Sequence, residues 1–398
     1  MIQVISKENC NGCKGCFTVC SKNCITMQSD NEGFWYPKID VKTCINCEMC
    51  EKVCPELNVK EVLPKTYQPS VYAAWNKNEV IRMSSSSGGV FTALSEVIIK
   101  NEGVVFGAGY GVENLKVMHQ KIDNVSDLHK LRGSKYVQSD IGRTYQEVKE
   151  LLGVGKQVLF SGTPCQIGGL YSFLLMVKYD NLYTCDIICH GVPSPAVFEK
   201  YKNHLKKLHG HISDITFRDK DTGWKSYSFS YSSGNKKLYS EQYRDNAYMK
   251  GFLRDLYLRP SCSNCSFKGV NRQADITLAD FWGVESKYPE LDDDKGTSLL
   301  LIHSKKGDEL LSNCGSQIEL YKADLEHAIK HNSCAIKSVM PNRNRAKFFE
   351  ELTKDKEEKY PINQIIEKYS QYSFYIRVKI KAREGVSKLK NKIWRDSM

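Results

Sequence analysis

Two copies of one cysteine pattern occupy the first 54 residues of the chain. Each copy reads C-x2-C-x2-C-x3-C, and the second copy begins 34 positions after the first. Three cysteines at positions i, i+3 and i+6 wrap a tight loop around one face of a cubane iron–sulfur cluster, and the fourth leads away from that face. The first copy comprises Cys10, Cys13, Cys16 and Cys20, and the second comprises Cys44, Cys47, Cys50 and Cys54.

The duplication predicts a small domain of the bacterial ferredoxin type over residues 1–58, with two [4Fe–4S] clusters. In this pattern the fourth cysteine of each run ligates the cluster of the other run. The spacing therefore predicts two ligand sets, which are Cys10, Cys13, Cys16 and Cys54 for one cluster and Cys44, Cys47, Cys50 and Cys20 for the other. Ser21 replaces the proline that usually follows the first run, and Cys24 is a ninth cysteine that we expect to pack as a small apolar residue.

Zinc and disulfides explain this segment less well than clusters do. A zinc site needs two C-x2-C pairs and gives no reason for four cysteines in each run. Disulfides need an oxidising compartment, and the N-terminus MIQVISKENC lacks the basic and apolar regions of a secretory signal. We therefore expect a cytoplasmic protein whose 16 cysteines stay reduced.

The formal net charge of +11 does not indicate a nucleic-acid partner, because of where the charge lies. Residues 1–58 carry six Lys and seven Asp or Glu, whereas residues 374–395 carry eight Lys or Arg and the single acidic residue Glu384. This basic tail has apolar residues at helical spacing, which predicts a helix with one apolar face. Such a helix either packs against the parent domain or makes peripheral contact with an anionic membrane. The apolar positions are Phe374, Val378, Ala382, Val386, Leu389 and Ile393.

The remaining chain predicts a mixed α/β fold. Residues 59–70 are rich in proline and suggest a linker, residues 71–340 form the second domain, and residues 341–398 form a helical basic tail. Strands alternating with helices favour an α/β core, followed by antiparallel strands over 212–243. The predicted strands are 71–75, 104–110, 157–160, 182–188, 276–278 and 299–302, and the predicted helices begin at 90, 167, 195 and 245 and end near 98, 176, 208 and 257, with mostly helical chain after 302.

Four further cysteines lie in loops beside glycine, proline or one another. Cys165 and Cys189 each follow the end of a predicted strand, and Cys262 and Cys265 form a C-x2-C pair. Four thiolates gathered in this way suit a third [4Fe–4S] cluster, although a structural zinc uses the same ligand set. Three other cysteines lie within predicted strands or helices and are expected to pack in the interior. They are Cys185, Cys314 and Cys334.

Two polar stretches suggest a nucleotide. Residues 84–89, with the sequence SSSSGG, open a predicted helix, where free backbone N–H groups and the helix dipole favour a phosphate. Residues 132–136, with the sequence RGSKY, add two cations, a hydroxyl and an aromatic ring. Serine-rich helix starts also serve simply as caps. Residues 280–283, with the sequence DFWG, fit either a packed turn or the wall of an aromatic pocket.

The order of these motifs resembles the beta-subunit family of the coenzyme F420 hydrogenases and dehydrogenases, in the branch with an N-terminal ferredoxin domain. The resemblance is collinear over residues 1–340 and does not include the tail. It is carried by SSSSGGVFTAL, LRGSKYVQSD, VLFSGTPCQIGGL, DIICHGVPSP, CSNCSFK and RQADITLADFWG.

The resemblance implies an iron–sulfur flavoprotein oxidoreductase. Its large domain would bind FAD and a third [4Fe–4S] cluster, with electrons exchanged between a ferredoxin-like donor and a small-molecule acceptor, either a deazaflavin or a polysaccharide-related compound. An alternative is a non-catalytic subunit that serves a partner redox subunit. No residue is assigned a catalytic role. The resemblance assigns the third cluster to Cys165, Cys189, Cys262 and Cys265, and the FAD contacts to Ser86, Ser87, Gly88, Gly89, Gly133, Ser134, Lys135 and Tyr136.

Overall fold

The computed structural model describes residue 2 and residues 6–63, 68–111, 115–355 and 359–371. The tail helix predicted from Phe374 onward lies outside these residues. The strands of the described ranges are β1 (Ile25–Ser29), β2 (Trp35–Ile39), β3 (Ser70–Asn76), β4 (Val104–Tyr110), β5 (Val117–Ile122), β6 (Val158–Ser161), β7 (Leu182–Ile187), β8 (Asp214–Asp219), β9 (Ser228–Ser233), β10 (Lys236–Gln242), β11 (Ile276–Asp280), β12 (Ser298–Ile302) and β13 (Ile318–Lys322).

Helices flank or connect most of these strands. The α-helices are α1 (Gly15–Val19), α2 (Met49–Lys52), α3 (Val59–Val62), α4 (Glu79–Met83), α5 (Val90–Lys100), α6 (Thr144–Gly153), α7 (Pro164–Phe173), α8 (Pro195–His209), α9 (Ala247–Leu253), α10 (Lys305–Asn313), α11 (Leu325–His331), α12 (Arg345–Lys354) and α13 (Ile362–Ser370). Short 3₁₀ helices cover Val125–Lys130, Pro260–Asn264, Val284–Ser286, Pro289–Leu291, Gly315–Gln317 and Ser333–Ala335.

An eight-stranded mixed sheet forms the centre of the large domain, in the order β13-β3-β12-β11-β7-β6-β4-β5. Its four middle strands β4, β6, β7 and β11 run parallel to one another, and the flanking strands pair antiparallel. Strand β6 is a short apolar run buried on both faces, as expected for a central parallel strand. The carboxyl ends of the parallel strands therefore meet at one edge of the sheet, where open α/β sheets place their sites.

Helices cover both faces of this sheet. One face packs against α5 and α10, through a core that includes Leu94 and Leu310. The opposite face packs against α6 and α7, through Tyr145 and Ile167. Helix α7 begins with a capping box in which Thr163 and Gln166 satisfy each other's backbone N–H groups, and Pro164 occupies the first turn. This fixes the start of α7 at the carboxyl end of β6.

A second sheet is antiparallel and has the order β10-β9-β8. Its strands β9 and β10 are joined by a two-residue turn, Gly234 and Asn235, with Gly234 at a φ of 56°. The sheet packs on α8, α9, α12 and α13 around an aromatic core that includes Phe217, Phe229 and Tyr248. Helices α12 and α13 thus belong to this core.

The predicted mixed α/β fold with an N-terminal ferredoxin-like domain is confirmed, whereas some element bounds differ from the sequence prediction. Helix α7 ends at Phe173 instead of 176, because Leu175 and Met176 adopt left-handed backbone angles. Helix α9 likewise ends before Asp255, whose φ is 56°. The region after 302 contains strand β13 as well as helices, and residues 59–62 of the predicted linker form α3.

Among the described helices, none combines the length and the apolar character that crossing a bilayer requires.

We expect Gly88→Ala to destabilise the fold. A Cβ atom at Gly88 would lie 2.4 Å from the backbone oxygen of Ala74 in β3. Such overpacking costs about 1–3 kcal/mol. Gly153→Ala is the matched control, since nothing lies within 4 Å of its Cβ position and alanine favours a helix. Anaerobic thermal unfolding should show a lower midpoint for Gly88→Ala only, and equal midpoints for the two variants would contradict the expected clash.

Candidate functional site: three cysteine sets

The second cysteine run of the N-terminal domain surrounds a cavity together with one cysteine of the first run. The cavity has a volume of about 20 Å³. Cys20 joins Cys44, Cys47 and Cys50 in its lining, as the crossed pattern predicts. Cys47 is exposed. Cys50 is buried, and its Sγ accepts a hydrogen bond from the backbone N–H of Ile2 at 3.2 Å. This set, which we call the outer set, therefore reaches the protein surface.

Cys24 is part of the same cavity. It is buried, as expected for a packing residue, and its Sγ lies 3.3 Å from the Sγ of Cys20. A fifth thiol thus stands beside the outer set.

The other four cysteines of the N-terminal domain lie close together on its inner side. We call Cys10, Cys13, Cys16 and Cys54 the inner set. Burial is the largest cause that raises the pKa of Cys13 well above its usual value, and the thiols of Cys54, Cys16 and Cys10 raise it further. Because burial favours the protonated thiol of Cys13 in the absence of a metal, binding of iron to this cysteine would release a proton.

The inner set contacts helix α7 of the large domain. A Cβ atom at Gly169 would lie 3.0 Å from the Cβ and 3.2 Å from the Sγ of Cys13, so glycine provides the space for this cysteine. Gly169 lies four residues after Cys165, and residues at that spacing share one face of a helix. Helix α7 therefore presents one cysteine of the large domain and the contact with Cys13 on the same side.

Cys165, Cys189, Cys262 and Cys265, which we call the domain set, line a third cavity of about 30 Å³. Cys165 lies in the first turn of α7 after β6, and Cys189 follows β7, so the parallel edge of the sheet brings them together. The Pro260–Asn264 3₁₀ helix supplies Cys262, whose Sγ accepts a hydrogen bond from the backbone N–H of Val192 at 3.4 Å. The structure thus brings these four residues together, and their role as ligands of a third cluster stays a prediction.

Charge and burial around the domain set suit an anionic cluster. Burial raises the pKa of Cys165 well above its usual value, and the thiols of Cys265, Cys189 and Cys262 add to this effect. Three cations line the same cavity, and cations next to a cluster offset the negative charge of its sulfurs. They are Arg259, Lys268 and Arg272.

The cysteines of the three sets are arranged differently from the ligands of a single metal ion. Within the described ranges, no group of three or more His, Cys, Asp or Glu residues is placed to hold one metal ion. The domain set instead surrounds a cavity, with its thiols on the walls. A cubane occupies the space between its four ligands, so the residues present fit a [4Fe–4S] cluster.

Arg259 joins the inner set to the domain set. Its side chain is 1% exposed and lines the cavity of the domain set. The guanidinium donates to the backbone oxygen of Cys10 at 2.7 Å, to that of Trp35 at 2.9 Å and to Oε1 of Gln138 at 2.9 Å. The backbone N–H of Arg259 donates to the backbone oxygen of Val192. This bond links the segment that follows Cys189 to the segment that precedes Cys262. The sequence prediction missed Arg259, because a lone arginine before a proline has no recognisable motif.

The two polar stretches of the predicted nucleotide site also meet. The backbone N–H of Ser134 donates to Oγ of Ser86 at 2.7 Å, and Arg132 donates to Oγ of Ser84 at 2.9 Å. Gly133, at a φ of 83°, has nothing within 4 Å of its Cβ position, so the loop faces open space there. Burial lowers the pKa of the neighbouring Lys135 to about 7.

Other residues of these stretches are engaged within the fold. The N–H of Gly88 donates to Oγ of Ser298 at 2.9 Å, and Oγ of Ser87 donates to the oxygen of Thr297 at 2.9 Å. Gly89 is the N-cap of α5, at a φ of 81°, and no side chain caps this helix. The ring of Tyr136 stacks on Phe252 at 4.5 Å. Open space therefore lies at Gly133 and not at Gly88.

The DFWG sequence forms a packed turn. Phe281 is fully buried, and the ring of Trp282 stacks on Trp224 with a centroid distance of 4.8 Å. Asp280 accepts hydrogen bonds from Arg218 at 2.8 Å and from Nε1 of Trp224 at 2.8 Å. The turn thus supports β11 at the edge of the sheet where the cysteines gather.

Comparison with known proteins gives a match within each of the two domains. Residues 155–327 match the family model for the C terminus of the coenzyme F420 hydrogenase/dehydrogenase beta subunit. Residues 9–58 match the model of the 4Fe-4S dicluster domain. An uncharacterized ferredoxin of Methanocaldococcus jannaschii is 36% identical over 64 residues, which are 16% of this chain and 82% of the ferredoxin. A chain of the F420-reducing [NiFe] hydrogenase complex from Methanosarcina barkeri is 17% identical, with a TM-score of 0.46 over 74% of this chain and 96% of that chain.

The cysteine sets predict the iron content of the protein. Three complete sets would hold about twelve iron atoms per chain, and Cys262→Ser should lower this to about eight by removing one ligand of the domain set. Cys314→Ser is the control, because Cys314 is buried away from the three sets and should leave the iron unchanged. Iron, sulfide and zinc are measured on anaerobically purified protein. About eight iron atoms with one zinc in the unmodified chain would contradict a cluster at the domain set.

Proposed function

The chain belongs to the coenzyme F420 hydrogenase/dehydrogenase beta-subunit family and carries an N-terminal 4Fe-4S dicluster domain, and from this we propose that it is an iron–sulfur flavoprotein oxidoreductase. It accepts electrons from a ferredoxin-like donor at the N-terminal domain and delivers them to FAD in the large domain. This proposal rests on two contacts of the inner set. Cys13 contacts α7, which supplies Cys165 of the domain set, and Cys10 accepts a hydrogen bond from Arg259, which lines the cavity of the domain set.

Clusters of this type exchange single electrons, and a flavin pairs them for hydride chemistry. The chain's own residues set the order of the three sites. Cys47 of the outer set is exposed and offers the approach for a protein donor. Cys13 of the inner set faces Gly169 inside the domain interface, and Asn11, next to Cys10, lines the cavity of the domain set. The sites therefore run from the surface toward the large domain.

Salt bridges and hydrogen bonds hold the two domains in this arrangement. Arg345 forms a paired contact with Glu32 of the N-terminal domain, with one N–O distance of 2.8 Å. Lys14 contacts Asp140, and Glu56 accepts a hydrogen bond from Ser266 at 2.8 Å. Contacts from three separate parts of the large domain restrain rotation of the N-terminal domain, which keeps the inner set against α7.

The loop around Gly133 is the proposed contact for the FAD phosphates. Its backbone faces open space, and the basic side chains of Arg132 and Lys135 flank it. The N-terminus of α5 lies next to it through the hydrogen bond between Ser134 and Ser86. Gly88, Gly89 and Val90 at the start of α5 are buried, so we assign the phosphate contact to the loop and not to the helix N-terminus. We place Ser86, Gly133, Ser134 and Lys135 at this contact, while Ser87, Gly88 and Tyr136 support its shape.

Electron delivery to the flavin is the central expectation of the proposal. Anaerobic protein is mixed with reduced ferredoxin in a stopped-flow instrument, and flavin bleaching is followed. The unmodified chain should bleach without a second protein. In the Cys262→Ser variant, ferredoxin should reduce the N-terminal clusters while the flavin stays oxidised. The Cys314→Ser variant should behave as the unmodified chain. A protein that reduces its clusters but holds no flavin would contradict the flavoprotein proposal and support a subunit that serves another chain.

Lys135→Met should weaken FAD binding. Loss of a charge-assisted contact to a phosphate costs about 1.5–3 kcal/mol, which raises the Kd roughly tenfold to a hundredfold. Lys130→Met is the control, because Lys130 ends the 3₁₀ helix just before this loop and pairs with Asp127 at the surface at 2.6 Å. The Kd is measured by adding FAD to flavin-depleted protein that retains its clusters. Equal Kd values for the two variants would place the phosphates elsewhere.

A further inference from the structure

A notch opens in the large sheet where strand β6 ends. The last residue of β6, Ser161, pairs with Cys185 of β7, and β7 continues to Ile187. On the other side of β6, strand β4 continues from Phe106, the last residue that it pairs with β6, to Tyr110. Among the described residues, no strand fills the gap between the ends of β4 and β7. The notch therefore lies at the carboxyl edge of the parallel strands, where open α/β sheets bind their ligands.

The floor of this notch is apolar and open to solvent. Ile187 is 41% exposed although it belongs to a central strand, whereas Cys185, two residues earlier on the same face of β7, is fully buried. Leu278 of β11 stands opposite Ile187 on that face and is half-buried. Central parallel strands are normally buried on both faces, and ligand sites are lined mainly by apolar side chains. The exposed pair therefore fits a surface that an apolar ligand covers.

The notch adjoins the proposed phosphate contact. Asp280, two residues after Leu278, accepts a hydrogen bond from Nη1 of Arg218 at 2.8 Å. The same nitrogen donates to the hydroxyl of Tyr136 at 3.3 Å, and Tyr136 ends the loop around Gly133. These contacts bring that loop to the end of β11, beside the notch. A ligand whose phosphates lie at Gly133 can therefore extend its other end over Leu278.

The notch also lies next to the domain set. Cys189 follows Ile187 by two residues, and two residues of chain span at most about 7 Å. A redox ring that rests on Ile187 is therefore close to one of the four cysteines of the domain set. The same position satisfies both ends of the proposed electron route, since the phosphates stay at the loop while the ring lies beside the cysteines.

We propose that the notch holds the isoalloxazine ring of FAD, with Ile187 and Leu278 as the apolar surface beneath it. This inference rests on the proposed function, because it places the ring of the cofactor whose phosphates we assign to the loop around Gly133. The ring is flat and has a large apolar part, so covering the two side chains removes apolar surface from water. Ile187 and Leu278 are positioning residues that hold the ring beside Cys189.

The test measures the Kd of riboflavin, FAD and ADP on anaerobic, cluster-loaded protein from which flavin has been removed. Riboflavin carries the ring without phosphates, and ADP carries phosphates without the ring. Ile187→Ser should raise the Kd of riboflavin and of FAD by the same factor, about three- to eightfold, because the ring then covers less apolar surface. The Kd of ADP should not change. Lys135→Met should give the converse pattern, with weaker binding of FAD and ADP and an unchanged Kd for riboflavin.

Two further variants complete the test. Ile187→Trp should fill the notch and abolish riboflavin binding, and an iron content equal to that of the unmodified chain shows that the variant is folded. Val154→Ser is the matched control and should leave every Kd unchanged. Val154 is 77% exposed and precedes β6, so it lies at the opposite end of that strand from the notch.

The outcomes separate this inference from the proposed function. Equal Kd values for riboflavin in Ile187→Ser and Val154→Ser would overturn the placement of the ring, while flavin binding by the unmodified chain would leave the flavoprotein proposal intact. Unchanged riboflavin binding by folded Ile187→Trp would overturn the placement as well. An unmodified chain that binds neither riboflavin nor FAD would overturn both the placement and the proposed function.

Discussion

The arrangement of the two domains depends on the buried guanidinium of Arg259. A charge removed from water is costly unless its hydrogen bonds are all made. Each of the three guanidinium nitrogens of Arg259 donates one hydrogen bond, to the oxygens of Cys10, Trp35 and Gln138, and the guanidinium lies 4.5 Å from the ring centre of Tyr36, so that its burial is partly offset. Two of these acceptors belong to the backbone of the N-terminal domain. The charge can therefore stay buried only while that domain is docked, which ties the ferredoxin-type unit to the large domain.

The parallel part of the sheet explains why the domain set exists at all. Cys165 and Cys189 are 24 positions apart in the chain, yet each follows a parallel strand, and β6 and β7 are direct neighbours. Adjacent parallel strands end side by side, so the two loops must meet. Arg259 then directs the loop of Cys262 and Cys265 to the same place through its contact with Val192. The order of the strands and one backbone hydrogen bond therefore bring together the four cysteines of the domain set, which are far apart in the chain.

The sequence predicted what depends on local spacing or on alternating elements. The crossed grouping of Cys20 with Cys44, and the meeting of Cys165 with Cys189, follow from such patterns. Strand β13 escaped prediction because only Ile318 of its residues is buried, so its alternation is weak. Contacts between residues far apart in the chain carry no local signal, and those of Arg259 with Cys10 and Trp35 are of this kind. The space at Gly133 was also invisible, because it depends on the packing of its neighbours.

The central claim is that the inner set and the domain set hold clusters side by side in one docked structure. Electron paramagnetic resonance of the fully reduced protein tests this most directly, with Cys262→Ser as the reference that lacks the cluster of the domain set. Subtracting the reference spectrum should leave a signal broadened by magnetic interaction with a neighbouring cluster. A difference spectrum identical to that of an isolated [4Fe–4S] cluster would contradict the account, because the domain set would then lie too far from the inner set to interact.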